Sequence, residues 1–170
     1  MYKIARVQIY LILVIALFLQ GGFVNYIAVS GAKPDLLAMC VIFFGLFLGP
    51  AAGLESGFAA GLLKDVFALD FLWINAVSLG ATGFIAGAIN TQLFKESKRA
   101  DFIFVFLFTV FSMSIHYVIV AVISNSLAFD FAEFFMNSVI PAALYTALLS
   151  IPIYVRLQSV YNLKEAEEYL

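Results

Sequence analysis

The chain has 170 residues and a formal net charge of −2, and its composition excludes an ordinary soluble domain. Hydrophobic residues make up 64% of it and charged residues only 12%, against roughly half and a quarter in soluble proteins. The composition therefore predicts an integral protein of the lipid bilayer. A single cysteine, Cys40, excludes an internal disulfide. Because basic residues do not form a patch interleaved with aromatic residues, a nucleic-acid partner is not expected.

Apolar stretches of helical length divide the chain, and no hydrophilic stretch is long enough for a second domain. We therefore predict one transmembrane domain over 1–170, of the all-α class, built as a six-transmembrane-helix bundle. The predicted spans, in chain order, are approximately 7–29, 34–49, 51–69, 74–93, 102–123 and 134–155.

The first half of the chain contains two features that affect this count. The first apolar stretch is longer than the core of a signal peptide, so we expect it to remain in the protein. The second, residues 36–48, is short for a crossing, and Gly49-Pro50 is expected to break the helix after it. The alternative is a five-span arrangement in which residues 36–69 make a single crossing.

The distribution of lysine and arginine favours six spans with both termini in the cytoplasm. That arrangement places seven basic residues inside and two outside, whereas the best five-span arrangement gives six and three. The inside residues are Lys3, Arg6, Lys95, Lys98, Arg99, Arg156 and Lys164, and the outside ones are Lys33 and Lys64.

Glycine recurs at every fourth position of the third span, at Gly49, Gly53, Gly57 and Gly61, and Asp65 takes the next place in the series. Glycine costs about 1 kcal/mol relative to alanine inside a helix. In lipid, the compensating gain is usually the close approach of two helix backbones. The row is therefore predicted to be a packing seam within the fold; the alternative is a groove for a partner helix or a bound molecule.

Polar side chains within the spans are costly in hydrocarbon and are therefore candidates for function. At 1.5 Å per residue, Gln20, Asp65 and His116 each lie ~20 Å from the inner membrane boundary. Together they are predicted to form a polar pocket towards the outer side. Alternatively, Asp65 pairs with Lys64 or lies at the level of the headgroups. Glu55 is expected to be solvated at the interface.

The motifs of enzymes and metal sites are missing from the chain. One histidine and one cysteine do not make an ordinary four-ligand metal site. Glu55 and Asp65 lie ~15 Å apart along one helix, too far for a paired-carboxylate reaction. We therefore expect no catalytic residue, no metal and no cofactor.

Three segments between residues 33 and 65 form a recognisable set of motifs. They are Lys33-Pro34-Asp35-Leu36-Leu37, then Phe43-Phe44-Gly45-Leu46-Phe47-Leu48-Gly49-Pro50, and then Gly53-x-x-x-Gly57-x-x-x-Gly61-Leu62-Leu63-x-Asp65. In these segments the chain resembles the MreD family, the rod shape-determining membrane proteins of bacteria. The chain length, the charged break at 95–101 and the short polar tail are also similar to that family.

This resemblance implies a multi-pass protein of the cytoplasmic (inner) membrane, without catalytic activity, in the elongation machinery (elongasome) of peptidoglycan biosynthesis. It implies Pro34 and Asp35 as family-motif residues. It also implies an MreC-like single-pass membrane protein as the partner. Through that partner, the chain would be linked indirectly to MreB filaments and to the RodA–penicillin-binding-protein synthase.

The MreD fold is similar to that of the S components of energy-coupling-factor transporters, which also have six helices. The alternative function is therefore that of a vitamin-binding S component. Such subunits often have an Ala-x-x-x-Ala pattern on their first helix. Here no two of Ala5, Ala16 and Ala28 are four residues apart, which argues against transport.

Overall fold

The computed structural model of the chain describes residues 6–28, 32–68, 73–89, 98–124 and 131–153, and its regular elements within these ranges are all helices. The last helix, α7, starts at Phe131–Phe134, passes through a π-helical stretch at Phe135–Val139, and is α-helical again over 140–153. The preceding helices are α1 (Arg6–Gly21), α2 (Phe23–Tyr26), α3 (Leu36–Leu48), α4 (Pro50–Ala68), α5 (Ile74–Ile89) and α6 (Lys98–Ile123).

The predicted all-helical class is thereby confirmed for the described residues. Two helical stretches, Ala100–Ile123 and Ala132–Ile153, are long and apolar enough to cross a membrane. Helices α1, α3 and α5 are also apolar, but they are shorter than these two stretches.

The helix ends differ most from the predicted spans in the first stretch and at the start of α6. The first stretch is divided, because α1 ends at Gly21 and α2 begins only at Phe23. Two successive glycines, Gly21 and Gly22, have the low helix propensity that explains this break. In addition, α6 begins at Lys98, inside the charged segment that was expected to precede it. Residues 29, 69, 90–93 and 154–155 of the predicted spans lie outside the described residues.

A sharp reversal joins α3 to α4, as the Gly49-Pro50 pair predicted. Gly49 has φ 94° and ψ 178°, a region of backbone conformation that is essentially restricted to glycine. Pro50 is the first residue of α4, where its fixed φ suits the helix and its missing N–H costs nothing. Gly49 thus serves as the turn before the helix, while the other three glycines of the row lie within α4.

Helices α4 and α5 pack backbone against backbone along the glycine row. A Cβ atom added to Gly53 would collide with the carbonyl oxygen of Gly83. One added to Gly57 would lie 2.7 Å from the carbonyl carbon of Leu79 and 2.9 Å from the Cα of Gly80. Gly53 and Gly57 of α4 therefore lie directly against the backbone of α5. We call this contact the seam.

The same contact continues at both ends of the seam. At one end, a Cβ on Gly61 would collide with the backbone of Ala76 and Asn75. At the other end, a Cβ on Gly45 of α3 would lie 3.1 Å from the Cβ of Ala86 and would collide with the carbonyl of Gly83. Helices α3, α4 and α5 therefore form one closely packed unit, which we call the inner trio.

Helix α3 lies at the centre of the molecule, with nine of its 13 residues buried. A helix that is hydrophobic on all sides is stable when protein surrounds it, which explains how so short an apolar helix is accommodated. One core cluster joins α3 to α5, α6 and α7, and it contains Met39, Ile42, Phe43, Leu46, Ala86, Val105, Phe108 and Ala147. A second joins α3 to α1, α4 and α5, and it contains Ile9, Leu13, Ala16, Leu37, Ala38, Val41, Phe44, Ala60 and Leu79.

Polar contacts attach α7 to the other helices. The hydroxyl of Ser150 donates to Oδ2 of the buried Asp101 on α6 at 2.8 Å. The hydroxyl of Tyr145 donates to the carbonyl oxygen of Ile27, just after α2, at 2.8 Å. The last helix is therefore connected both to α6 and to the end of the first helical stretch.

We expect Gly57→Ala to destabilise the protein by about 1–3 kcal/mol, the usual cost of adding atoms to a well-packed contact. The matched control is Gly80→Ala, because a Cβ at Gly80 would have its nearest neighbour, Leu54 Cδ1, at an ordinary 3.6 Å. Thermal unfolding of the purified chain in mild detergent compares the two variants. Equal stabilities would show that the seam tolerates a side chain and would contradict this packing.

Candidate functional site

The glycine row of α4 ends on Asp65, whose buried carboxylate accepts four hydrogen bonds from the start of α5. Its Oδ1 accepts from the backbone N–H of Asn75 at 3.1 Å and from the side-chain amide of Asn75 at 2.7 Å. Its Oδ2 accepts from the N–H groups of Trp73 at 3.0 Å and Ala76 at 3.3 Å. The first N–H groups of a helix have no partner within it, so Asp65 caps α5 from the neighbouring helix.

Trp73 is the reason that α5 needs an external cap. Its carbonyl oxygen accepts the first helical hydrogen bond, from Val77 N–H, which makes Trp73 the N-cap residue. An indole ring has no oxygen with which to accept from the next amides, and the backbone φ of 88° is rare for so large a residue. The hydrogen bond to Asp65 and the ring contact with Phe58, at 6.2 Å between centroids, hold this conformation.

Asp35 performs the equivalent task at the start of α3, as the N-cap of its own helix. Its Oδ1 accepts from Ala38 N–H at 2.9 Å. The neighbouring amide, Leu37 N–H, donates to Oε1 of Gln20 at 3.1 Å, and the amide nitrogen of Gln20 donates to Asp35 Oδ1 at 3.3 Å. The N–H of Asp35 donates to the hydroxyl of Thr146 on α7 at 2.9 Å. Helices α1 and α7 therefore both meet the beginning of α3 or its cap.

Lys64 completes this group through an ion pair with Asp35, with 2.6 Å between Nζ and Oδ2. The side chains are 30% and 13% exposed, so the pair is largely withdrawn from solvent. The carboxylate of Asp35 is held by the ammonium of Lys64 and by hydrogen bonds from Ala38 and Gln20. We call Gln20, Asp35 and Lys64 the polar cap.

A cavity of about 450 Å³ lies beside the polar cap, at the ends of α1 and α4. Its walls are mainly apolar, and Gln20 and Lys64 are its polar wall residues. The residues around it are Leu17, Phe18, Gln20, Gly21, Gly22, Leu37, Lys64 and Phe67.

A second polar contact lies at the opposite ends of α1 and α4. The hydroxyl of Tyr10 donates to Oε1 of Glu55 at 2.7 Å, and Nε of Arg6 lies 3.6 Å from the same oxygen. The side chains of Arg6 and Glu55 are 80% and 42% exposed. Exposed pairs of this kind contribute little to stability, and the position of Glu55 at the surface agrees with its predicted solvation.

The structure groups the predicted pocket residues differently from the sequence analysis. Gln20 binds Asp35 and the start of α3, whereas the hydrogen bonds of Asp65 go to α5. His116 lies half-buried in the middle of α6. The alternative expectation was an ion pair between Lys64 and its neighbour Asp65. In the structure, Lys64 pairs with Asp35.

The family-motif residues Pro34 and Asp35 lie together at the entrance to α3, where Pro34 is buried and directly precedes the N-cap. The sequence analysis identified Asp35 only through the family motif and missed its partners. Lys64 and Thr146 are 29 and 111 residues away from it in the chain. Helical periodicity gives no information about contacts between separate helices, so the only sequence signal for this pair is that opposite charges flank two apolar helices.

The chemistry of these groups is that of helix capping and ion pairing. Both carboxylates are occupied by backbone amides, side-chain amides or an ammonium group. Among the described residues, no three His, Cys, Asp or Glu side chains come together in a group that could hold a metal ion. The arrangement holds helix ends in fixed relative positions.

Comparison with known proteins identifies the family. The family model described as rod shape-determining protein MreD matches residues 1–163, which is nearly the whole chain. The resemblance drawn from the segments between residues 33 and 65 is thereby confirmed. No curated protein and no solved structure matches the chain.

We expect Lys64→Gln to lower stability by about 1–3 kcal/mol, because it leaves the carboxylate of Asp35 without its cation. The double variant Asp35→Asn/Lys64→Gln removes both charges and keeps an acceptor at the N-cap, so it should recover part of this loss. Thermal unfolding of Lys64→Gln, of Asp35→Asn and of the double variant gives the coupling free energy between the two residues. Additive effects would show that the pair is not coupled.

Proposed function

The chain belongs to the MreD family of rod shape-determining membrane proteins, and on this basis we propose that it is a non-catalytic scaffold of the cell-wall elongation complex. The match over residues 1–163 is the observation that carries the proposal. The proposed partner is an MreC-like single-pass membrane protein. MreB filaments and the RodA–penicillin-binding-protein synthase would be reached through that partner, at the bacterial cytoplasmic membrane.

The contacts of Asp35 and Asp65 support a scaffold. Intramembrane polar residues usually mark a pathway or a reaction site. Here the buried carboxylate of Asp65 accepts from the amides of α5, and Asp35 binds amides and Lys64. Side chains engaged in this way fix the helices that a binding partner would contact.

We further propose the six-span topology with both termini in the cytoplasm. It rests on the charge count and is supported by the direction of α3 and α4. The start of α3 contacts the end of α4 through Asp35 and Lys64. Gly45 and Gly53, on either side of the turn, also face each other. The two helices therefore run antiparallel, which favours two passes over one merged crossing of residues 36–69.

The function is tested by replacing the chromosomal copy with a tagged chain and isolating it in mild detergent. We expect rod-shaped cells and recovery of a single-pass MreC-like protein with the tagged chain. Cells that express Gly57→Leu at the normal level should lose rod shape and recovery of the partner, because the leucine separates α4 from α5. Cells that express Gly80→Ala should keep rod shape and recovery of the partner. Recovery of a pair of ATPases with a bound vitamin would instead identify an S component, and rod-shaped cells without the chain would contradict the proposal.

The topology is tested by cysteine labelling in intact cells, in a Cys40→Ala background that removes the native thiol. A membrane-impermeant reagent should label Lys33→Cys, because Lys33 is exposed and lies in a connector placed outside. It should label Ser97→Cys only after the membrane is opened, because the charge count places 95–101 inside. Labelling of Ser97→Cys in intact cells would exclude the six-span topology.

A further inference from the structure

The cavity beside the polar cap is formed by the break in the first helical stretch. Gly21 and Gly22 contribute no side chains to its wall, and a Cβ added to Gly21 would meet no atom within 4 Å. The volume of about 450 Å³ falls in the usual range of small-molecule sites, about 300–1,000 Å³. Gly21 therefore leaves open space at this wall of the cavity, whereas a Cβ on Gly22 would lie 3.3 Å from the carbonyl oxygen of Phe18.

The walls show that the cavity faces the perimeter of the molecule. Phe18 on α1 and Phe67 on α4 line it and are themselves 69% and 64% exposed. Leu17 and Leu37 provide further apolar wall towards the interior. In a membrane protein, apolar side chains on the perimeter face hydrocarbon, so an occupant of this cavity enters from the bilayer and has an apolar part.

One side of the cavity is polar and carries a cation. The ammonium of Lys64 has three N–H groups, one of which donates to Asp35, and its side chain remains 30% exposed. Gln20, by contrast, uses its amide in bonds to Asp35 and Leu37. Among the described residues that line the cavity, Lys64 is therefore the one with hydrogen-bonding capacity for an acceptor, and an anionic acceptor suits it best.

We propose that this cavity binds one membrane phospholipid, with a phosphate oxygen accepting from Lys64 and an acyl chain lying between Phe18 and Phe67. The site goes beyond the scaffold role proposed above. A soluble anion does not suit the apolar walls. The lipid would fill the gap at the Gly21–Gly22 break and join α1 to α4.

The test uses the full chain in lipid nanodiscs with a phosphatidylglycerol that carries a photoreactive group on its acyl chain. In the unmodified protein, we expect saturable labelling that maps to Leu17, Phe18 and Phe67. Inorganic phosphate should not compete, because the acyl chain supplies the apolar contact. Labelling that does not saturate, or that maps elsewhere, would overturn the proposal without reference to any variant.

Two variants with added bulk on α1 test the cavity itself. Gly21→Phe adds bulk at a wall residue where a Cβ meets no atom within 4 Å, and it should raise the half-saturating lipid concentration by at least about tenfold. Ile15→Phe adds bulk at an exposed α1 position outside the cavity and should label as the unmodified chain does. Thermal unfolding checks that both variants are folded. Equal labelling of Gly21→Phe and the unmodified chain, or equal losses in both variants, would overturn the proposal.

The charge is tested separately from the cavity. In Asp35→Asn/Lys64→Gln the ammonium is lost while the region stays neutral overall, and lipid binding should weaken by about tenfold or more. A photoreactive diacylglycerol, which has no phosphate, should bind the unmodified chain correspondingly more weakly. Diacylglycerol labelling equal to that by phosphatidylglycerol would overturn the assignment of the phosphate to Lys64.

Discussion

The structure depends on the direct contact between the backbones of α4 and α5. Helices in lipid gain no hydrophobic energy by associating, so close packing and hydrogen bonds must hold them together. Gly53, Gly57 and Gly61 allow that packing along α4. Four residues after the last glycine, Asp65 brings an acceptor to the amides at the start of α5. The same four-residue spacing along α4 therefore supplies both the glycines that pack against α5 and the carboxylate that caps it.

The start of α3 follows the same physical rule by a different route. Backbone amides without a partner are costly in a membrane, and α3 begins among other helices instead of in water. Asp35 and Gln20 accept from its first amides, and Lys64 balances the charge of the cap. Because Lys64 directly precedes Asp65, the end of α4 supports both of its neighbours in the inner trio.

The sequence predicted those features that are local to a helix. The break at Gly49-Pro50 follows from the chemistry of proline, and α3 does end at Leu48. The register of Asp65 with the glycine row follows from spacing. The partner of Asp65 did not follow, because depth along a span does not specify the direction in which a side chain points. Gln20 was placed with Asp65 and His116 by depth, but it reaches Asp35 in the next helix. The division of the first span at Gly22 also depends on a glycine pair that apolar length alone does not register.

The arrangement of polar groups separates two kinds of surface on this protein. In the inner trio, the carboxylates of Asp35 and Asp65 are engaged with the amides of helix starts, so substitutions there act through the stability of the fold. The exposed apolar residues, such as Phe18 on α1 and Phe67 on α4, lie on the perimeter and contribute little to that core. This division lets a closely packed interior keep the outer helices in position while their surfaces remain exposed. The perimeter of α1 and α4 is therefore where changes in binding should separate from changes in stability.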